Sequence, residues 1–369
     1  YMETKKERDY ACDLIRILAT YIVVATHVKL GFWEDDHIIS TRLFFACLFG
    51  DGVSIFFILS GFFMFNGTTF GNRFKKCVLS IVLPAFLVAI VTQIIYPWIS
   101  SSSLWGGITF YIPWNEINVS ILQQNAGNLQ GCFHFWYIFA YIKWILFYPL
   151  LKWICQEGKE QNLCRRLLII LQLISVLVSN AKLLYNISLN TYSFFDTSIL
   201  LGIIGFEISC KRNSIKGNLV IRFVSLLTFI AINFARLVAQ ENLYFIDTNN
   251  STYLNWDSIF GILCATAAFC FLYSWNFDNI SIRTKKMIKF ISDRTFIIYL
   301  FHVIVYFKCS SMGLQGKFIQ LCSQRLNIIG DTIYSVLYPL FIFVITFVIS
   351  MLVSLFIKMI KSKFRLIRI

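Results

Sequence analysis

Residues 333–357 read IYSVLYPLFIFVITFVISMLVSLFI and contain no charged side chain. A helix needs about 20 mostly apolar residues to cross the hydrocarbon core of a bilayer, and this stretch exceeds that length. It is followed by the basic residues Lys358, Lys361 and Lys363, which is typical of the cytoplasmic end of a span. The stretch therefore predicts a transmembrane helix.

The composition of the whole chain supports the same interpretation. Of its 369 residues, 57% are hydrophobic and only 14% are charged, and the mean hydropathy is +0.68. A soluble domain has about 25% charged residues, and a soluble protein this apolar would expose large apolar patches. Disorder is excluded because disordered chains contain few apolar residues. We predict a polytopic membrane protein whose net charge of +14 reflects basic cytoplasmic loops, with no nucleic-acid partner.

Ten windows are long and apolar enough to be membrane spans. Their runs are continuous and do not alternate, which excludes a transmembrane β-barrel. The predicted fold class is therefore all-α, a polytopic membrane helix bundle of about ten transmembrane helices. The windows are Leu14–Phe32, Leu43–Phe65, Cys77–Ile99, Phe135–Trp153, Leu167–Leu184, Thr191–Cys210, Leu219–Val238, Ser258–Trp275, Phe290–Phe307 and Ile333–Ile357.

The distribution of basic residues predicts the orientation. Counted by alternate loops, 24 of the 33 Lys and Arg residues fall on one side, and seven, Arg236 among them, fall on the other. The positive-inside rule then places both termini in the cytoplasm. The longest outer loop, about residues 98–134, has no Lys or Arg and suits contact with a polar substrate. We expect one domain over residues 1–369, with a retained first span and no appended soluble domain.

The eleven cysteines are scattered, without C-x-x-C or the Cys/His spacing of a metal site. Most fall within apolar runs, where a cysteine is by default a small buried hydrophobe. The sequence therefore predicts no metal and no disulfide framework.

Polar residues on the first span are the main functional signal. An ionisable residue inside a membrane is costly and marks function by default. Asp13 and Arg16 are three residues apart and share a helix face, whereas Arg16 and His27 are eleven apart, about three turns or 16 Å along the axis. Together with Thr20 they predict a stripe that faces a polar interior. The alternative is an Arg16 that snorkels to the headgroups and a His27 that is satisfied by a core hydrogen bond.

Other spans carry further candidates for an acceptor site or polar cavity. The second span contains Asp51 and Ser60 among glycines, for which the alternative is close helix packing. The fourth begins with His134 and Trp136, for which the alternative is an aromatic interface belt. The ninth contains His302 at mid-span depth, where a buried histidine satisfied by a neighbouring helix is the alternative.

Together these segments resemble the acyltransferase-3 family of integral-membrane acyltransferases, which includes bacterial O-acetyltransferases of surface glycans. The order of the matching segments covers nearly the whole chain. They are Cys12-Asp13-Leu-Ile-Arg16-Ile-Leu-Ala19 followed by His27; Gly52-Val-Ser-Ile-Phe56-Phe57-Ile-Leu59-Ser60-Gly61-Phe62; His134-Phe135-Trp136-Tyr137 before Tyr148-Pro149; and the run that ends in Tyr299-Leu300-Phe301-His302.

The resemblance implies ten core spans, an acyl-CoA donor (most simply acetyl-CoA), and an essential Arg16 and His27. It also implies a basic donor-binding motif, which here is R-x-x-K over Arg73 and Lys76 in place of R-x-x-R. Lysine keeps the charge but lacks the bidentate fork. The expected localisation is the bacterial cytoplasmic (inner) membrane, and the expected acceptor is a polysaccharide or lipid-linked glycan. The oligomeric state is open.

Mechanistically, we expect His27 to deprotonate the acceptor hydroxyl and Arg16 to orient the donor or stabilise charge. Asp13 is the third catalytic candidate, as the partner of Arg16. Direct transfer is favoured over an acyl-enzyme, because no serine or cysteine has a visible base beside it. The rival function is a transporter or flippase of glycan or lipid-linked precursors, which intramembrane charges also fit. The sequence shows neither an inverted repeat nor paired broken helices in support of it.

Overall fold

Every regular element in the described part of the computed structural model is a helix. The described residues are 8–28, 41–65, 69–103, 132–185, 195–246, 252–277, 279–323 and 327–366.

By packing, the chain divides into two compact units. The first comprises Tyr1–Ile22, Cys47–Asn66 and Glu157–Thr295, and the second comprises Val23–Ala46, Gly67–Gln156 and Phe296–Ile369. Because the division falls after Ile22 and after Ala46, two helices contribute to both units: α1 (Tyr10–His27) and α2 (Thr41–Leu48).

The first unit is otherwise built from seven helices and a short 3₁₀ turn, Thr252–Leu254. These helices are α3 (Gly52–Met64), α8 (Lys159–Tyr185), α9 (Thr197–Cys210), α10 (Arg212–Ile215), α11 (Leu219–Ile246), α12 (Ile259–Tyr273) and, at its end, α13 (Ile282–Ser292).

The second unit contains a π-helical turn, Val78–Val82, and a 3₁₀ turn, Phe133–Phe135. Its helices are α4 (Phe70–Cys77), α5 (Leu83–Ser100), α6 (Trp136–Leu146), α7 (Tyr148–Ile154), α14 (Thr295–Ser311), α15 (Leu314–Ser323) and α16 (Asn327–Leu366).

Among the described residues, seven helical segments are long and apolar enough to cross a membrane, or up to nine if two bent helix pairs each count as one span. The pairs are α6 with α7 and α13 with α14, and the shorter apolar helix α9 lies where the sixth window was predicted. Each of the ten predicted windows thus overlaps an apolar helix. The predicted all-helical, polytopic membrane fold is confirmed, and the orientation of the termini stays a prediction.

In the first unit, glycines allow α3 and α9 to pack backbone against backbone. A Cβ added to Gly61 would lie 2.0 Å from the carbonyl oxygen of Gly202, and one added to Gly205 would lie 2.0 Å from that of Ile58. Small residues at crossings are the usual means by which membrane helices approach closely. The close helix packing considered for this part of the second span is what the structure shows at Gly61.

In the second unit, the end of α1 packs against α14 and α16. Val24 of α1 and Val28, which directly follows α1, share a buried core cluster with Ile298 and Val305 of α14 and with Tyr338 of α16. The span that contains α6 bends by 69° between α6 and α7, where Pro149 follows the bend and cannot donate a helical hydrogen bond. The packing of Val24 and Val28 against α14 and α16 fixes the last turn of α1, and with it the position of His27.

Candidate active site

Three histidines from three distant parts of the sequence meet in the second unit. His27 ends α1, His134 lies in the 3₁₀ turn before α6, and His302 lies in the middle of α14. The ring centroids of His27 and His302 are 5.2 Å apart, those of His134 and His302 are 4.8 Å apart, and those of His27 and His134 are 6.1 Å apart. Of the candidates predicted from sequence, these three are brought together.

Aromatic neighbours hold the cluster in place. Phe133 contacts the ring of His27 with its centroid 5.2 Å away, and Tyr299 contacts His134 at 5.3 Å. The Tyr299 hydroxyl also donates a hydrogen bond to the backbone carbonyl of His134. Sequence reasoning did not assign Tyr299 a role, although its place one turn before His302 is the signal that puts both side chains on one face.

His302 has a defined hydrogen bond through one nitrogen only. Its Nδ1 lies 2.7 Å from the backbone carbonyl oxygen of Tyr299. A carbonyl only accepts, so Nδ1 carries the proton in this bond. Its Nε2 and both ring nitrogens of His134 are buried without a hydrogen-bond partner of acceptable geometry among the described residues, although backbone groups of Tyr299 and Leu300 lie near His134. These ring nitrogens therefore lack a well-formed hydrogen bond among the described residues.

The three histidines differ in accessibility. His134 and His302 are 1% and 0% exposed, whereas His27 keeps part of its surface accessible. His27 packs against the other two rings and is the one member of the cluster that is partly exposed.

Arg16 and Asp13 belong to a separate network within the first unit. Arg16 Nη1 donates to Asp13 Oδ1 at 3.0 Å and to Ser292 Oγ at 3.0 Å, and the Ser292 hydroxyl donates to Asp13 Oδ1 at 2.8 Å. Thr20 uses its hydroxyl within the helix, on the Arg16 carbonyl at 2.7 Å. The predicted pairing of Asp13 with Arg16 is present, and Ser292 is a partner that sequence reasoning missed.

Arg8 adds a second cation to this network. It donates to Asp13 and, at 2.7 Å, to Asp293. Burial lowers the pKa of Arg8, but the hydrogen bonds and attraction of these two carboxylates outweigh it, so the pKa is raised. The side chain of Asp13 is 5% exposed, whereas that of Arg16 is 32% exposed. Asp13 is thus enclosed by its partners, and Arg16 is the member of the network that remains accessible.

Asp51 forms a buried ion pair with Arg236. Arg236 is 0% exposed and donates to Asp51 Oδ1 at 2.9 Å and to the carbonyls of Tyr253 at 2.6 Å, Cys47 at 2.9 Å and Leu254 at 2.9 Å. The prediction that Arg236 lies on an outer loop is therefore wrong. Its five donors let the guanidinium bind four acceptors at once, which makes burial possible. Asp51 is engaged in this pair and contributes to packing within the first unit.

Four candidates remain. Ser60 is partly buried on α3, and Trp136 is partly exposed at the start of α6, where its ring contacts Tyr137. Arg73 is partly buried and Lys76 is exposed on α4. The exposed side chain of Lys76 is accessible to a ligand, as a donor-binding cation requires.

Among the residues that the structure describes, no group of three or more His, Cys, Asp and Glu side chains is arranged to hold a metal ion. The three histidine rings are packed by their faces and edges and do not converge on one point.

Comparison with known proteins identifies one family. The model of the acyltransferase-3 family, described as an acyltransferase domain, matches residues 9–359. No curated protein and no solved structure matches the chain. The matched range includes the three clustered histidines, the pair of Asp13 and Arg16, and the pair of Asp51 and Arg236.

Proposed function

We propose that this chain, which belongs to the acyltransferase-3 family, moves an acetyl group from cytoplasmic acetyl-CoA to a hydroxyl of a surface or lipid-linked polysaccharide in the bacterial inner membrane. Family membership and the apolar helices make it a multi-pass membrane acyltransferase. The acetyl donor, the glycan acceptor and the bacterial membrane are our proposal. Transport of a glycan precursor is not favoured, because the family match is to an acyltransferase domain.

One observation carries the proposal. In the histidine cluster, His27 alone is partly exposed, and its ring is held by Phe133, His134 and His302. A general base must be fixed in place and must still reach the proton that it removes. His27 meets both conditions, whereas the rings of His134 and His302 are enclosed.

In the proposed reaction, the imidazole of His27 acts first as a general base and then as a general acid. The acceptor hydroxyl gives its proton to an imidazole nitrogen of His27 as its oxygen attacks the thioester carbonyl carbon. The resulting tetrahedral intermediate collapses, the carbon–sulfur bond breaks, and the coenzyme A thiolate takes the proton from His27. The products are the acetyl ester and free coenzyme A, and His27 returns to its starting state.

The Arg16 network serves the donor in this proposal. Asp13 and Ser292 fix one side of the guanidinium, and its accessible part is available for negative charge on the substrate. Asp13 acts here as a positioning residue for Arg16. Arg73 and Lys76 on α4 are the proposed contacts for the phosphates of coenzyme A.

A glutamine substitution at His27 is the decisive test. His27→Gln keeps a polar side chain but removes the base, so transfer should fall by about 10²–10⁴-fold. The matched control is Thr26→Ala at the exposed neighbouring position of α1, which should transfer acetyl groups at the normal rate. Transfer is measured with radiolabelled acetyl-CoA in membranes and by mass spectrometry of the surface glycan.

Two further measurements make the result interpretable. Membrane insertion and thermal stabilisation by acetyl-CoA should be the same in His27→Gln as in the unmodified chain, because the donor contacts are unchanged. A His27→Gln variant that acetylates the glycan at the normal rate would refute His27 as the base. A purified chain that acetyl-CoA does not stabilise at all would refute the choice of donor.

A further inference from the structure

The first unit contains a polar cavity that borders the network of Arg236 and Asp51, because the Tyr253 carbonyl that accepts from Arg236 also accepts from the lining residue Ser258. It has a volume of about 250 Å³ and lies between α8, the start of α9 and the segment before α12. Nine of its ten lining residues are polar, and the tenth is Val176. Ligand pockets are usually lined mainly by apolar groups, so such a lining within a membrane helix bundle requires an explanation.

The lining has a defined chemical character. Most of its side chains are hydroxyls and amides, among them Ser179, Thr197 and Asn255, and the described residues that line it include no Lys or Arg. Hydroxyls and amides both donate and accept hydrogen bonds. Without a cation the lining is unsuited to a phosphate or carboxylate, which basic side chains bind best.

Asn180 and Ser258 give the cavity a fixed wall. Asn180 Oδ1 accepts from the backbone N–H of Ile259 at 2.8 Å, and its carbonyl accepts from the Tyr253 hydroxyl at 2.8 Å. Ser258 caps α12 by accepting from the Gly261 N–H at 3.0 Å. These bonds tie α8 to the start of α12, so the cavity exists before any ligand enters and no ordering of this wall opposes binding.

The described lining residues carry a negative charge. Asp257 is exposed and is the only charged residue among them, and Asp196 lies close enough to interact with it electrostatically. A carboxylate accepts hydrogen bonds from hydroxyls and repels other anions. The coenzyme A phosphates are therefore unsuited to this cavity.

We propose that this cavity binds one uncharged sugar ring of the acceptor glycan. A sugar ring carries hydroxyls that both donate and accept, which matches the lining group for group. The volume is equivalent to about eight waters at roughly 30 Å³ each and is below the roughly 300–1,000 Å³ of drug-sized pockets, which fits a single ring. The inference rests on the proposed function, because that function supplies the glycan. It also follows the predicted orientation, which puts this end of α8 outside, opposite the basic end at Lys159 and Arg165.

Direct sugar binding tests the proposal on the full-length chain. The protein is reconstituted in lipid nanodiscs, because detergents with sugar headgroups would compete for the cavity. Methyl glucopyranoside, N-acetylglucosamine and glucuronate are titrated by calorimetry. We expect at least one of the two uncharged sugars to bind, and glucuronate to bind at least tenfold more weakly because Asp257 repels it.

Filling the cavity provides the matched comparison. Ser179→Leu places a larger side chain in the lining and should weaken binding of the uncharged sugar by at least tenfold. Ser354→Leu makes the same change on α16 in the other unit and should leave binding unchanged. If Ser179→Leu does not fold, Thr197→Val keeps the side-chain shape, removes one hydroxyl, and should weaken binding several-fold.

The outcomes separate this inference from the proposed function. The cavity proposal is overturned if neither uncharged sugar binds, if glucuronate binds as tightly, or if Ser179→Leu (Thr197→Val in its place) binds like the unmodified chain. His27→Gln should bind the sugar normally while transfer is lost. Sugar binding without any acetyl transfer would refute the proposed function and support the cavity proposal. Acetyl transfer without sugar binding would refute the cavity proposal and support the proposed function.

Discussion

The buried ion pair between Arg236 and Asp51 gives the sharpest prediction of stability. Arg236→Met replaces the guanidinium by an apolar side chain and removes all four of its hydrogen bonds. It leaves the Asp51 carboxylate, whose side chain is 3% exposed, without its cation. Three backbone carbonyls, those of Cys47, Tyr253 and Leu254, lose the same donor.

The magnitude follows from what remains buried. Removing one partner of a buried ion pair costs about 3–5 kcal/mol, because the other charge stays in the interior. Hydrogen bonds to charged groups contribute roughly 1.5–3 kcal/mol each, so the three carbonyls add to that cost. We therefore expect the free energy of unfolding to fall by at least ~3 kcal/mol. That is a large share of the about 5–15 kcal/mol by which whole proteins are stable. At about 2–4 °C per kcal/mol, the thermal midpoint should fall by roughly 6 °C or more.

The assay is the fraction of purified protein that stays monodisperse after heating, measured by size-exclusion chromatography. Arg212→Met, at an exposed position on α10, is the control and should shift the midpoint by about 1 °C or less. The double variant Arg236→Met with Asp51→Asn should regain part of the loss, because the uncompensated charge is gone. An Arg236→Met midpoint equal to that of the control would refute the buried ion pair.

Two further changes test local packing. Gly205→Ala should lower the thermal midpoint by several degrees, because its Cβ would lie 2.0 Å from the Ile58 carbonyl oxygen. Gly71→Ala is the control and should leave the midpoint unchanged, because the added Cβ would lie in open space. Equal midpoints in the two variants would contradict the close contact of α3 and α9. Lys308 is 6% exposed and donates to three backbone carbonyls at and just after the end of α5, each at 2.8 Å. Lys308→Met should therefore raise hydrogen exchange of the amides of residues 98–103, while Lys317→Met at an exposed position should not. Unchanged exchange in Lys308→Met would show that this lysine does not hold the helix end.

The spans could be predicted because the bilayer acts locally along the chain. A helix must be mostly apolar along its length to cross hydrocarbon, whatever its neighbours are. Each window, such as Ile333–Ile357, can therefore be recognised without knowledge of the others. The break between α6 and α7 was not predicted, although Pro149 is a signal of it. Its position depends on how the two helices pack.

Contacts within the candidate sites were predicted only where both residues lie on the same helix. Asp13 and Arg16 are three residues apart, so their pairing follows from helix geometry, and the 3.0 Å contact is present. Ser292 completes that network from 276 residues away in sequence, and no local pattern points to it. Arg236 was misplaced for the same reason, because the carbonyls and carboxylate that bind it come from other segments. The catalytic role of His27 stays a prediction.

The sequence by itself determined that this is a helical membrane protein and that Asp13, Arg16 and His302 lie on its helices, since the cost of exposing a charge or a backbone group to lipid applies to each residue separately. Only the tertiary structure decided which of those residues meet. It gathered His27, His134 and His302 and left His27 accessible, and it joined Asp51 to Arg236. Contacts between distant segments depend on the packing of whole helices, and that packing is a property of the assembled bundle.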